Sequence, residues 1–504
     1  MSTVTEALLD LPARAGSQPA LLCPDDGAVV THEQLLDAAL LLASRLRGAG
    51  VDRGDRVALV LPNGPEIVEL LFALAVLGAV AAPLNPAYTE AEYRFYLDDL
   101  TPRLMLAGAG GARAGPTAAE AAGIPVADVV ATGADGRPPT LRLGGREVRS
   151  AAMDDRGGPD DVVLLLHTSG TTSRPKQVPL LQRNLTSQAR SIARHYRLDA
   201  SDVSYCAMPL FHVHGLVASA LAQIAAGGSV IVPRRLSPSR FWSQAALHAV
   251  TWLSAGPTLH RMILQREGSP PGSLRFVRSC SSALPVELMQ EGEDRYGVPM
   301  VEAYGMTEAG HQITSNPLPP EPRRAGSVGV PAGAEIRVVD RAGEDVATGS
   351  PGEVAIRGPG VTPGYLENPE ANAEAFFDGW FRTGDEGVLE DGYLRLRGRL
   401  KEMIIRGGEN ISPYEIEEVL LSHPSVAEAI VFGVDDVKYG QTVSGAVVLR
   451  DAATTPEDLR RHARQSLAAF KVPDRIHVLD QIPKTPTGKV QRRRMAADLA
   501  SDAR

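Results

Sequence analysis

The chain has 504 residues, 51 Lys and Arg against 60 Asp and Glu (formal net charge −9), 44% hydrophobic residues and 3 cysteines. That length supports a large core and at least two domains, and the acidic balance excludes the basic footprint of a nucleic-acid binder. Cys23, Cys206 and Cys280 are too few and too scattered for a disulfide scaffold, no C-x-x-C pair suggests zinc, and a reducing, cytoplasmic setting is expected.

The chain starts Met1-Ser2-Thr3-Val4-Thr5-Glu6, with no basic stretch before an apolar one, so no signal peptide is expected. Residues 57–61 read as a strand. After the turn at 62–65, an apolar run over 69–83 carries Gly78 and falls short of the roughly 18 residues of a membrane span. It is expected to form one buried helix against a sheet. Residues 107–139 are Ala/Gly-rich and poorly periodic, and read as loops. Strands are expected at 162–166, 229–232 and 252–254. Their alternation with helical stretches predicts an α/β domain of parallel, helix-covered sheets. Gly, Asp and Arg dominate 379–399, which reads as turn-rich. Beyond it, helices at 415–421 and 457–469 and strands at 426–434, 445–449 and 475–479 predict a small α+β domain. The expected division is 1–399 and 400–504.

His167-Thr168-Ser169-Gly170-Thr171-Thr172-Ser173-Arg174-Pro175-Lys176 follows directly on the strand at 162–166. Its hydroxyls and backbone donors suit phosphate oxygens, with Lys176 adding charge. By composition alone a flexible polar turn is the better explanation, and no Walker loop occurs anywhere in the chain. Ser173-x-x-Lys176 has a serine-hydrolase spacing, but Pro175 disfavours a helical Arg174, and neither Ser-Asp-Asn nor Lys-Thr-Gly follows.

Four further stretches accompany this loop: Glu302-Ala303-Tyr304-Gly305-Met306-Thr307-Glu308, Trp380-Phe381-Arg382-Thr383-Gly384-Asp385, Gly398-Arg399-Leu400-Lys401-Glu402 and Pro483-Lys484-Thr485-Pro486-Thr487-Gly488-Lys489. In this order the five resemble the signatures of the adenylate-forming superfamily, the acyl-CoA synthetases and their relatives. The resemblance implies a large ATP- and acyl-binding N-terminal domain and a small mobile C-terminal one. It also implies a two-step reaction. A carboxylate attacks the α-phosphate of ATP to give acyl-adenylate and pyrophosphate, and a thiol, usually that of CoA, then displaces AMP. Thr168, Ser169, Gly170, Thr171, Thr172 and Lys176 would hold the β- and γ-phosphates. Glu302 and Ala303 would belong to the ATP site, Tyr304 would stack near adenine, Thr307 would touch the α-phosphate, and Glu308 would hold Mg²⁺. Asp385 would accept from the ribose hydroxyls, helped by Arg399. Lys489 would bridge the attacking carboxylate and the α-phosphate. Lys401 would be the hinge, and Gly407 and Gly408 would line the thiol tunnel after domain rotation.

Three stretches bear on the acid. His212 and His214 lie in Pro209-Leu210-Phe211-His212-Val213-His214-Gly215, with His212 where relatives place a residue beside the reacting carboxylate. Arg278-Ser279-Cys280-Ser281-Ser282-Ala283-Leu284 supplies hydroxyls and a thiol, and Ala309-Gly310-His311-Gln312 follows the Thr-Glu motif. Together with Ser173 they resemble the oxalate-activating subgroup. A dicarboxylate leaves one charge in the pocket, which needs polar or cationic donors. Ser281, His311 and His214 are candidates, a protonated His serving best, and Arg261 is another. The alternatives are malonate or another short or aryl acid, nitrite passed to an amine without CoA, or a nucleotide-binding scaffold that has lost catalysis. Gln177 departs from the Gly usual after the loop Lys. A positive φ there would cost roughly 1–2 kcal/mol, and the side chain would crowd the phosphates. Residues 401–504 hold 15 basic and 15 acidic residues, so the −9 lies wholly in 1–400. Lys484, Lys489, Arg492, Arg493 and Arg494 nevertheless concentrate positive charge around one loop. ATP, Mg²⁺, CoA and a small carboxylate are the expected partners, with no nucleic acid and no membrane span. Oligomeric state is left open.

Overall fold

The computed structural model describes residues 16–153, 156–168, 175–406, 409–436, 438–451, 453–484 and 492–501. Among them, two large sheets enclose a central helical layer. The eight-stranded sheet runs Gln177–Leu181, Val162–His167, Val80–Pro83, Arg56–Val60, Leu104–Gly108, Val126–Val130, Thr140–Leu143, Arg146–Glu147. The nine-stranded sheet runs Val330–Pro331, His311–Ser315, Met300–Met306, Phe276–Ser279, Trp252–Ala255, Val203–Cys206, Ser229–Ile231, Pro19–Cys23, Ala28–Thr31.

The apolar run at 69–83 is not one helix. Pro65–Leu77 is helical, Gly78 closes it at φ 72°, and Val80–Pro83 is a strand. Glycine is needed there, because an L side chain is strained in the left-handed conformation. All 13 residues of this helix are buried, as expected of a helix apolar on every face, and it touches strands of both sheets. Of its two acids, Glu66 pairs with Arg234, and Glu69 accepts from the Thr132 hydroxyl at 2.6 Å through one oxygen only.

The region 107–139 is not loop alone. It contains the Ala114–Ala121 helix and the Val126–Val130 strand. Small residues hide the period there, because alanine packs a helix closely without a strong apolar stripe. The glycines of 379–399 also mislead. Trp380–Glu390 and Tyr393–Arg399 form a hairpin, joined by Asp391 and Gly392 at positive φ.

Leu400–Glu402 is a single 3-10 turn. After it, a five-stranded sheet (Glu409–Ile411, Ile404–Arg406, Gly440–Leu449, Val426–Asp436, with Arg475–Val478 parallel to Gly440–Leu449) carries the Pro413–Leu421 and Pro456–Ser466 helices. Its core of Ile404, Ile416, Leu420, Val431, Val447 and Leu459 is separate from the others. The Ser412 hydroxyl bonds the Arg397 carbonyl, tying the first of these helices to the hairpin before the turn. Among the described residues no helix is long and apolar enough to cross a membrane.

Candidate functional site

The parallel strands of the nine-stranded sheet end at one edge, where α/β folds place their ligands. Ser254 and Arg278 are register partners on adjacent strands, as are Ser279 and Glu302. Residues level across adjacent strands point to the same face. The chain then turns through Thr307–Ala309 and Gly310 (φ 65°) and returns antiparallel as His311–Ser315. A Cβ at Gly305 would lie 2.0 Å from the His311 carbonyl oxygen, so only glycine allows this close return.

Arg278 is fully buried at the centre. Its Nε donates to Tyr196 Oη at 2.9 Å, its Nη1 to Ser254 Oγ at 2.9 Å and its Nη2 to Gln312 Oε1 at 3.0 Å. His214 Nε2 and His311 Nδ1 each lie 3.4 Å from it. Among the described residues no carboxylate lies within 4.0 Å of this guanidinium. Sequence reasoning noted the stretch around Arg278 only for its hydroxyls and thiol. The signal available was a lone Arg in an apolar strand, Phe276-Val277-Arg278-Ser279.

His214 opens a π-helical segment, His214–Leu221, a geometry often found at functional sites. A Cβ at Gly215 would lie 2.4 Å from the Pro209 carbonyl oxygen, which explains the glycine beside it. His214 Nδ1 is 2.8 Å from Ser281 Oγ and its Nε2 2.7 Å from Ser254 Oγ. Burial, and then the neighbouring Arg278 charge, push its pKa well below 6.5. For His214 this argues against the protonated form that would serve best and favours a neutral ring. The His311 ring lies 5.0 Å from that of His214, tilted by 55°. Ser281 (φ 78°) and His311 (φ 144°) both hold left-handed backbones, at about 1–3 kcal/mol each. His212 lies just before the π-helical segment, half-buried against Phe211. Arg261 is not brought to this cluster. It lies on the Pro257–Leu264 helix, and its guanidinium bonds the Ala427 carbonyl.

The nucleotide-side candidates form a second group. The Tyr304 phenol donates to Asp385 Oδ2, and Arg399 Nε pairs with Asp385 Oδ1 at 2.7 Å. Burial, then the Asp385 carboxylate, hold that phenol well above its usual range, so it remains a donor. Glu308 is buried, accepts from Tyr365 Oη at 2.9 Å and leaves Oε2 with no donor among the described residues. An anionic oxygen held this way fits a hard cation such as Mg²⁺. Lys176 Nζ sits 4.4 Å over the Tyr365 ring, and Thr307 is half-buried at the start of the turn. Thr168 and Lys176 are bonded to each other, the Thr168 N–H donating to the Lys176 carbonyl at 2.9 Å. Ser169, Gly170, Thr171, Thr172, Gly407, Gly408 and Lys489 lie outside the described residues. Lys401 is exposed in the 3-10 turn.

Gln177 is corrected. It is an ordinary strand residue opposite His167 and is absent from the positive-φ positions. Its amide donates to Asp99 Oδ2 at 2.6 Å, beside His167 Nε2 at 2.9 Å from the same oxygen. Its side chain is turned towards Asp99. The expected cluster of positive charge is also reduced. Lys484 pairs with Glu428, Arg492 with Glu402 and Glu417, and Arg494 with Asp498.

Glu302 and Ala303 are both buried. Glu302 accepts from the Leu284 N–H at 2.9 Å, and burial raises its pKa to about 8. Unfolded, the same carboxyl titrates near 4.5. The folded state thus keeps a proton that the unfolded chain releases. The stability from this group is full below pH 4.5 and lost up to pH 8, at up to about 1.4 kcal/mol per pH unit. Glu302→Gln keeps the acceptor for Leu284 and removes the titration. Thermal unfolding of both proteins is expected to show the variant gaining on wild type from pH 5 to 8. A gap independent of pH would contradict this assignment.

Tyr304, Asp385, Arg399 and Glu308 form one sheet-edge group, and Arg278 among neutral donors forms the other. The chain belongs to the AMP-binding enzyme family: residues 10–366 match its family model, and 415–489 match the model for the AMP-binding enzyme C-terminal domain. It is 46% identical over 479 residues to an oxalate–CoA ligase of Arabidopsis thaliana, covering 93% of each chain. A sulfoacetate–CoA ligase of Cupriavidus necator is 39% identical, covering 94% of each. The solved structure of ATP-bound MatB from Rhodopseudomonas palustris superposes with a TM-score of 0.89 at 29% identity, covering 100% of both chains. ATP, Mg²⁺ and CoA are the cofactors of AMP-forming acid–thiol ligases, and the chain activates an acid with ATP and transfers it to CoA.

Proposed function

We propose that the acid is a small dianion, with oxalate the first choice. The observation that carries this reading is Arg278, a buried cation with no carboxylate partner among the described residues. An uncompensated buried charge is costly, and a second carboxylate on the substrate supplies the missing anion. A fatty-acid pocket would place apolar groups there. The likeness to an oxalate–CoA ligase points the same way. Sulfoacetate, the acid named for another relative, also leaves an anion facing Arg278 and is the second reading.

In the proposed site, Thr168–Lys176 hold the β- and γ-phosphates, and Tyr304, Asp385 and Arg399 hold the nucleoside. Glu308 holds Mg²⁺, whose charge, when bound, neutralises phosphate oxygens. Thr307 faces the α-phosphate, His212 lies beside the reacting carboxylate, and His214, Ser281 and His311 hold the other end of the acid. Lys489 stabilises charge as the carboxylate attacks. The chain divides near residue 400, with Lys401 as hinge, so that 400–504 first delivers Lys489 and then the Gly407-Gly408 turn to the thiol. Excluding water between the two steps protects the adenylate.

Pyrophosphate release with ATP tests this against oxalate, malonate, sulfoacetate, acetate, octanoate, coumarate and nitrite, each with and without CoA. Dianions are expected to lead, with oxalate first. Octanoate outpacing oxalate would remove the pocket argument, and nitrite-dependent release without CoA would redirect the acceptor.

A further inference from the structure

We infer that Arg278 is a positioning residue that sets the ring tautomers of His214 and His311 and thereby turns the Ser281 hydroxyl towards the incoming acid as a donor. This rests on the proposed acid pocket and deepens it.

A guanidinium has five N–H donors and no acceptor. Any nitrogen or oxygen facing it must offer a lone pair. Ser254 Oγ, 2.9 Å from Arg278 Nη1, therefore accepts from Arg278. The hydroxyl hydrogen of Ser254 is then available to His214 Nε2, 2.7 Å away. The same Nε2 also faces Arg278 Nη1 at 3.4 Å. Two donors converge on this one nitrogen, so it carries no proton. A neutral imidazole without a proton on Nε2 carries it on Nδ1, and burial keeps the His214 ring neutral. Nδ1–H then donates to Ser281 Oγ at 2.8 Å. A serine oxygen that receives a proton from inside the protein directs its own O–H elsewhere. Ser281 stands at the half-exposed border of the cluster, held there by its left-handed backbone. On the other side Arg278 Nη2 faces His311 Nδ1 at 3.4 Å, which places the His311 proton on Nε2.

The direction matters because the proposed ligand is an anion. With the opposite His214 tautomer, Nδ1 would be a lone pair, the Ser281 O–H would turn inward to it, and the serine would present oxygen lone pairs to a carboxylate. One proton position on a buried ring thus decides whether the pocket attracts or repels the acid. Arg278 decides that position without touching the serine.

The test is ¹⁵N NMR of the full-length enzyme with labelled histidine and no acid present, with His214 assigned from the spectrum of His214→Gln. The Nδ1–H tautomer is expected, and finding Nε2–H overturns the inference with no need for any other variant to fold. Arg278→Met is expected to lose this signature and raise KM for oxalate about 30-fold, with KM for ATP within about threefold of wild type. Arg278→Lys, still a donor-only cation, is expected to keep the tautomer. A His214 signature unchanged in Arg278→Met, or an equal rise of KM for ATP and for oxalate, contradicts a positioning role. The NMR measurement contains no acid, so it stands or falls apart from the acid assignment. Failure of wild type to release pyrophosphate with oxalate sinks that assignment alone.

Discussion

Lys489→Ala is expected to lower acid-dependent pyrophosphate release about 1,000-fold, while thioester formation from supplied acyl-adenylate stays within about threefold of wild type. The first step brings a carboxylate against a triphosphate, so a cation is required where their charges meet. Lys484 and Arg492, which flank Lys489 in sequence, do not supply it. Lys484 is 2.7 Å from Glu428, and Arg492 is bound to Glu402 and Glu417 and nearly buried. Lys176 lies over the Tyr365 ring, on the Glu308 side of the site. The second step displaces AMP with a thiol and no longer needs that cation, and the hinge reading has it withdrawn by then. Separate measurement of the two half-reactions decides the matter. Equal loss in both would contradict alternation about Lys401.

Glu308→Gln is expected to lower pyrophosphate release about 100- to 1,000-fold and to raise the Mg²⁺ concentration needed for half-maximal rate. Thermal stability is expected to change little. The amide oxygen of Gln still accepts from Tyr365 Oη, which lies 2.9 Å from Glu308 Oε1, and volume is conserved. Only the charge is lost, and by the proposal that charge holds the metal. A loss of stability matching the loss of activity would make Glu308 a structural acid that holds Tyr365. A rate unaffected at any Mg²⁺ concentration would remove it from the nucleotide site.

The stretch 302–308 was legible as a motif because its residues are contiguous, and the structure adds that a Cβ at Gly305 would meet the returning strand. The strands at 162–166 and 252–254 were legible from apolar runs within one or two residues of their observed ends. The helix at 114–121 was not, because alanine and glycine carry no periodic contrast. The hairpin at 380–399 was read as turns, because glycines needed at its bends look like loop residues.

Gln177 shows the same limit at the site. By itself it was a departure next to the phosphate loop. Only the pairing of its strand with Val162–His167, and the approach of Asp99 from a helix some eighty residues earlier, give its side chain a direction. The motifs, their order, the family and the two-step chemistry it uses were determined by the sequence itself, because each motif is a short run of neighbouring residues. The proposed acid pocket was decided by tertiary structure. Ser254, Arg278, His214 and His311 come from separate strands and a π-helical segment, and meet only when the sheet forms. Their properties, a buried cation without a counter-ion and a histidine kept neutral, depend on burial and on facing partners, and neither is a property of local sequence.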